Sequence, residues 1–360
     1  MAKLIDIVKD KQELLVNIQK AVGSASLNFL IGSGCSSPAL KVLGNIEKDI
    51  HDKIAANKQE EAEKLMFDFI GPFLDSTNAL LENTKDEATT TTIENYQQFI
   101  TVISKILYER KSNILHKQAT VFTTNYDLFI EKASDQFETA LILNDGFKRT
   151  PSLSNSFKFS IGEFFNTVCN TGSLYNYQVQ VPMINLIKLH GSLNWGIENG
   201  SIINSLECIK KANELRSTDE ECNVAEFNDL FSIILPKKEK FKETILNQIY
   251  YDLLRIYANE LDKENTLLIA EGFSFADEHI LEITKRALKN PTLKLIIFCF
   301  RKDDMTSYEN IFQENNNVDI VLSEKDTIGF KEFGAFLMGI LSEKKEPPVY
   351  KVELKKSNDE

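Results

Sequence analysis

Along the chain the apolar positions change period several times, and each change marks an element. Leu14, Leu15, Ile18 and Val22 recur at helical spacing, so a helix is expected over Leu4 to Val22. Ser26-Leu-Asn-Phe-Leu-Ile is a short apolar run of strand character that breaks into the turn Gly32-Ser-Gly-Cys-Ser-Ser. From Lys41 to His116 the period is almost wholly helical. Helices are expected over Glu47 to Leu80, broken at Gly71-Pro72, and over Ile93 to Leu115, with the polar stretch Asn83 to Thr92 as a loop between them.

Ala119 to Thr123 reads as a strand, followed by a helix through Leu128, Ile130 and Ala133. Asn144 to Val181 is rich in Asn, Ser, Thr, Phe and Tyr, has weak periodicity and reads as loop-rich. A strand over Ile184 to Leu189 runs into His190-Gly-Ser, and Glu198 to Asp229 is polar, with one helix around Leu206 to Leu215. Beyond this the alternation is strict. Strands are expected at Phe231 to Leu235, Thr266 to Ala270, Leu293 to Phe300 and Val318 to Leu322. Helices are expected at Phe241 to Tyr257, Ala276 to Leu288, Thr306 to Gln313 and Lys331 to Leu341. Such alternation predicts an α/β fold, a parallel sheet with helices on both faces. About seventy-five residues separate the first two core strands, far more than one crossover helix needs, so 41–117 is read as a helical insertion.

Composition narrows the function. Of 360 residues, 42% are apolar and 26% charged, ordinary values for a globular chain that needs no disulfide or metal staple. Forty-one basic against fifty-three acidic residues leave a net charge of −12, so no direct nucleic-acid binding is expected. The five cysteines at 35, 169, 208, 222 and 299 form no C-x-x-C pair, which fits neither a zinc ribbon nor a disulfide framework and suggests a reducing, cytoplasmic setting. No apolar run approaches the ~18 residues of a membrane span.

In an open parallel sheet ligands collect beyond the carboxyl ends of the strands. Four strands end in polar loops: Gly32-Ser-Gly-Cys-Ser-Ser, Thr124-Asn-Tyr-Asp, His190-Gly-Ser-Leu-Asn-Trp and Gly272-Phe-Ser-Phe-Ala-Asp. Glycines in the first suit close approach to a pyrophosphate, or simply a tight turn. Asn125 and Asp127 could contact a ribose or amide, or cap the next helix. His190 suits general-base work near neutral pH, and Ser274-x-x-Asp277 reads as a helix start able to face a ribose or phosphate.

In order and spacing, FLIGSGCSSPA, VFTTNYDLFIEKA, LIKLHGSLNW and LLIAEGFSFADEHI resemble the signature set of the sirtuin-like family of bacterial NAD-consuming domains. The resemblance implies a Rossmann-like domain binding NAD+ as substrate, with no metal. One such domain would span 1–343, with core pieces at 23–40, 118–143, 183–197 and 230–343, the helical insertion 41–117, a loop-rich insertion 144–182 and a charged tail 344–360. By the same resemblance Gly32, Ser33, Gly34 and Ser36 would cradle the pyrophosphate, and Asn125 would hold the nicotinamide ribose and the attacking water. Asp127, with Thr124 beside it, would meet the carboxamide. His190 would be the base at the ribose, and Gly272, Ser274 and Asp277 would line the adenosine side. Deacylases of this family carry two C-x-x-C pairs that this chain lacks, so an NAD+ glycohydrolase is expected. The alternatives are an NAD-dependent deacylase and a non-catalytic NAD or ADP-ribose sensor. The implied setting is anti-phage defence by NAD+ depletion, as a homo-oligomer partnered by a HerA-type DNA-translocating ATPase.

Overall fold

The computed structural model describes residues 1–41, 46–84, 86–110, 114–137, 140–149, 156–172, 178–217, 224–231 and 245–342. The first half runs β1 (Lys3–Asp6), α1 (Lys11–Ser24), β2 (Ser26–Ile31), α2 (Ile46–Ala55), α3 (Gln59–Glu82), α4 (Glu87–Glu109), β3 (Gln118–Thr123), α5 (Phe129–Ser134) and β4 (Ile142–Asn144). Next come β5 (Phe157–Lys158), β6 (Cys169–Thr171), β7 (Gln178–Gln180), β8 (Met183–Lys188), β9 (Trp195–Glu198), β10 (Ser201–Asn204), α6 (Glu207–Ser217) and α7 (Val224–Asp229). The chain closes with α8 (Ile245–Asp262), β11 (Thr266–Glu271), α9 (Glu278–Ala287), β12 (Leu293–Phe298), α10 (Met305–Phe312), β13 (Val318–Leu322) and α11 (Phe330–Ser342).

Eight strands form one sheet in the order β1-β13-β12-β11-β2-β3-β8-β4, and every neighbouring pair is parallel. A parallel sheet must be covered on both faces, which is why its strands read as continuous apolar runs. One face packs Phe29, Val121 and Ile269 against α1, α4 and α11 through Leu14, Phe99 and Phe333. The other packs Leu30, Phe122 and Leu268 against α8, α9 and α10 through Tyr257, Ile280 and Phe312. This is the expected α/β, Rossmann-like arrangement. The register keeps the central strand ends level: Glu271 lies beside Ile31, Ile31 beside Thr123, and Thr123 beside Lys188.

Several local expectations change. The first helix begins at Lys11, because Lys3–Asp6 is an edge strand paired with β13, and the Asp6 carboxylate accepts the N–H groups of Val8 and Lys9 to turn the chain. Helix α3 runs unbroken through Gly71-Pro72, and the break falls earlier, at Asn57 with φ 58°. The threonines of Asn83 to Thr92 are mostly helical. Asp86 caps α4 by accepting from Thr89 N–H at 2.8 Å, and the buried Thr92 hydroxyl accepts from Ala39 N–H at 3.1 Å. Within Glu198 to Asp229, β9 and β10 form a hairpin turned at Asn199-Gly200, both at positive φ. The stretch 144–181 holds β5, β6 and β7, while Asn144 closes the edge strand β4. Phe231 is buried outside any strand; 232–235 and the tail 344–360 lie outside the described residues.

Candidate functional site

The chain leaves β2 toward β3 on one side of it and returns through β11 on the other, so a topological switch point lies between β2 and β11. Two loops cross there in backbone contact. A Cβ on Gly32 would fall 2.2 Å from the Gly272 oxygen, and one on Gly34 would fall 2.9 Å from Gly272 Cα. Gly272 itself, at φ +63°, has no room for a Cβ against Cys35. The glycines are therefore required by loop-to-loop contact. Gly32 N–H donates to Glu271 O at 3.0 Å and Gly34 N–H to Gly272 O at 3.1 Å, so both amides expected to face a pyrophosphate are engaged within the fold.

Beside this crossing the strand ends carry buried polar groups. The Asn125 Nδ2 amide donates to Gly32 O at 3.0 Å and to Ser36 Oγ at 3.1 Å, and lies 3.5 Å from the Tyr96 hydroxyl. Because a carbonyl only accepts, the amide nitrogen must face Gly32. That leaves Asn125 Oδ1 as a buried acceptor with no partner among the described residues. Ser36, expected in the phosphate cradle, donates its hydroxyl proton to Asp127 Oδ2 at 2.7 Å. Asp127, just before the Leu128 N-cap, also accepts from the first amide of α5, Phe129 N–H, at 3.3 Å. Burial raises the Asp127 carboxyl above its ordinary range, and the Lys188 charge and Ser36 hydroxyl pull it part-way back.

Lys188, at the end of β8, is a buried cation with all three protons placed. It donates to the Asp127 carbonyl and to Ser192 Oγ, and pairs with Glu131 Oε1 at 2.7 Å. One ammonium thus ties together the Asn-Tyr-Asp loop, α5 and the His-Gly-Ser turn. Two residues on, His190 is 7% exposed, and its Nε2 lies 2.9 Å from Asp277 Oδ2. Its Nδ1 is buried and has no partner among the described residues. Asp277 also caps α9 by accepting from Ile280 N–H at 3.1 Å. Burial pushes the Asp277 carboxyl up, but the hydrogen bond and charge of His190, with the Ile280 amide, outweigh it and hold it below its usual range. Asp277, expected to line the adenosine side, is in this structure the hydrogen-bond partner of His190 Nε2.

The SIR2-like domain model matches residues 119–321, more than half of the chain. The chain belongs to the SIR2-like domain family. No curated protein matches it. Membership ties the chain to NAD chemistry, and the matched span holds Asn125, Asp127, His190, Gly272, Ser274 and Asp277 of this SIR2-like site. Thr124 is half-buried in the same loop, and Ser274 is exposed, its hydroxyl accepting from Ala276 N–H at 3.4 Å. Gly32, Ser33, Gly34 and Ser36 precede the match; Ser33 is exposed and Gly34 half-buried. Among the described residues no three His, Cys, Asp or Glu side chains are grouped to hold a metal ion, and no helix is long and apolar enough to cross a membrane.

Sequence reasoning missed Tyr96, Lys188 and Glu131 as parts of the site. Lys188 carried a faint signal, a lysine at the end of a strand whose only other polar residue is Asn185. Tyr96 carried none, since its place depends on how α4 packs.

Proposed function

We propose that the chain hydrolyses NAD+ at the nicotinamide–ribose bond to nicotinamide and ADP-ribose. One observation carries this reading. Among the described residues, neither Asn125 Oδ1 nor His190 Nδ1, both buried and on the loops that end adjacent strands, has a hydrogen-bond partner. A buried acceptor left unpaired destabilises the fold by about 1–3 kcal/mol, and these two lie on the Asn-Tyr-Asp and His-Gly-Ser loops, where donors of a bound substrate would offset that cost. Ribose hydroxyls and an attacking water are the donors that NAD+ hydrolysis brings.

Each residue then has a role of its own. Asn125, held from behind by Gly32 and Ser36, orients the ribose or the water through Oδ1. Nicotinamide leaves from a cationic ring nitrogen, so no acid is needed at the leaving group. His190, fixed by Asp277 with Nε2 protonated, offers Nδ1 as the acceptor for a proton from the water or a ribose hydroxyl. Asp127, its carboxylate held by the Ser36 hydroxyl and the Phe129 amide, would meet the carboxamide. In this reading hydrolysis serves anti-phage defence in the cytoplasm, by a homo-oligomer partnered with a HerA-type ATPase. The charge of −12 supports leaving DNA contact to that partner.

The test is incubation of the purified protein with NAD+, alone and with the ATPase, followed by chromatography. Equal release of nicotinamide and ADP-ribose is expected. No nicotinamide under either condition overturns the reading, and O-acetyl-ADP-ribose formed from an acetylated peptide would identify a deacylase instead.

A further inference from the structure

Tyr96 is fully buried on α4, in a segment that precedes the family match, yet its hydroxyl lies 3.0 Å from Ser36 Oγ inside the site. The ring has little freedom. It stacks on Phe129 with centroids 5.6 Å apart and planes 2° from parallel, and meets Phe330 edge-on at 4.7 Å.

The proton count at Ser36 fixes the direction of every bond around it. Asn125 Nδ2, 3.1 Å away, can only donate; the Asp127 carboxylate, 2.7 Å away, can only accept. The single Ser36 proton therefore goes to Asp127, one lone pair receives Asn125, and the other is left for the proton of Tyr96. The hydroxyl is a junction filled on all sides, and the chain of bonds runs from Tyr96 through Ser36 to Asp127.

We infer that Tyr96 is a positioning residue: its hydroxyl fixes Ser36 in the one orientation that holds Asn125 and Asp127 together. Without that donor Ser36 keeps an unfilled lone pair and turns more freely, and the Asn125 amide it accepts from loosens with it. The Tyr96 hydroxyl acts on Asn125 through Ser36 and also directly, as a weak acceptor 3.5 Å from Asn125 Nδ2, so Tyr96 itself need not meet the substrate. The consequence for turnover rests on the hydrolase reading; the consequence for Asn125 does not.

Tyr96→Phe removes only the hydroxyl and keeps the ring contacts. In protein labelled with 15N-asparagine, the Asn125 side-chain NH2 signal is identified by its loss in Asn125→Asp. In Tyr96→Phe that signal is expected to shift, and its exchange with water to accelerate by about tenfold, the weight of one lost hydrogen bond. An Asn125 signal unchanged in position and exchange overturns the inference. If the unaltered protein releases no nicotinamide, the hydrolase reading falls while the spectroscopic result still decides the role of Tyr96. If it does turn over, Tyr96→Phe is expected to lower kcat by about tenfold with KM within about twofold, and an unchanged kcat overturns the positioning role in catalysis.

Discussion

Two stretches of the sheet's carboxyl edge bury polar groups, and they do so differently. At the ends of β3 and β8, Asp127 receives a hydroxyl and an amide, Lys188 supplies three protons to three acceptors, and Asn125 and His190 are each held on one side. At the end of β11, Glu271 is as deeply buried, but its Oε2 has no hydrogen-bond partner among the described residues. Burial raises both carboxyls. Near Asp127 the Lys188 charge opposes the rise, whereas Glu332 adds to that of Glu271 and carries it well above the ordinary range. Burial alone therefore does not mark a working group. What distinguishes the β3–β8 edge is a network, centred on Lys188 and Ser36, that holds each of its members by at least one bond, although among the described residues it too leaves buried atoms unpaired on Asn125, His190 and Glu131.

The largest effect is expected where the Asn125 acceptor is removed. Asn125→Ala should fold, since it lies in a loop, and lose nicotinamide release by about a thousandfold, measured by chromatography. Full activity would show that the unpaired Oδ1 does not work on substrate. Next comes the junction itself. Lys188→Met leaves the buried Glu131 without its cation, and burial has already pushed that carboxyl up. A loss of about 3–5 kcal/mol is expected in urea unfolding, and a loss below about 1 kcal/mol would break the contrast between a connected and an unconnected edge.

Asp277→Asn separates orientation from folding. Asparagine caps helices as well as aspartate does, so α9 and the melting temperature should hold. The charge opposite His190 Nε2 disappears, and activity should fall on the order of a hundredfold. A fall in stability without a selective fall in kcat would make Asp277 a cap and nothing more.

How much of this could be read beforehand follows from the same physics. From β11 to α11 each element is a compact block bounded by turn residues, and the pattern predicts all six that are described to within a few residues. The strand ends carrying Asn125, His190 and Gly272 were legible because a fully buried strand stops where its polar loop begins. The helix over the four threonines was not, because Thr89 and Thr92 are held by burial and capping rather than by propensity. The β9–β10 hairpin left a signal in Asn199-Gly200 that a polar average concealed. The joining of Tyr96, Ser36 and Asp127 across 60 and 91 residues is tertiary, and no local pattern encodes it.

Glu271 supplies the smallest and most discriminating test. Its folded pKa is raised, by burial first and by Glu332 second. As pH climbs above the ordinary glutamate value of about 4.3, the unfolded chain releases this proton while the folded chain keeps it, so the native state binds more protons and stability falls with rising pH until the folded pKa is passed. Glu271→Gln keeps the shape and cannot ionise. Its stability should match that of the unaltered protein near pH 4.5 and exceed it increasingly toward pH 8, by about 1 kcal/mol or more in urea unfolding. Parallel stability curves across that range would mean that Glu271 is stabilised as an anion, and the β11 edge would then be as well connected as the edge beside it.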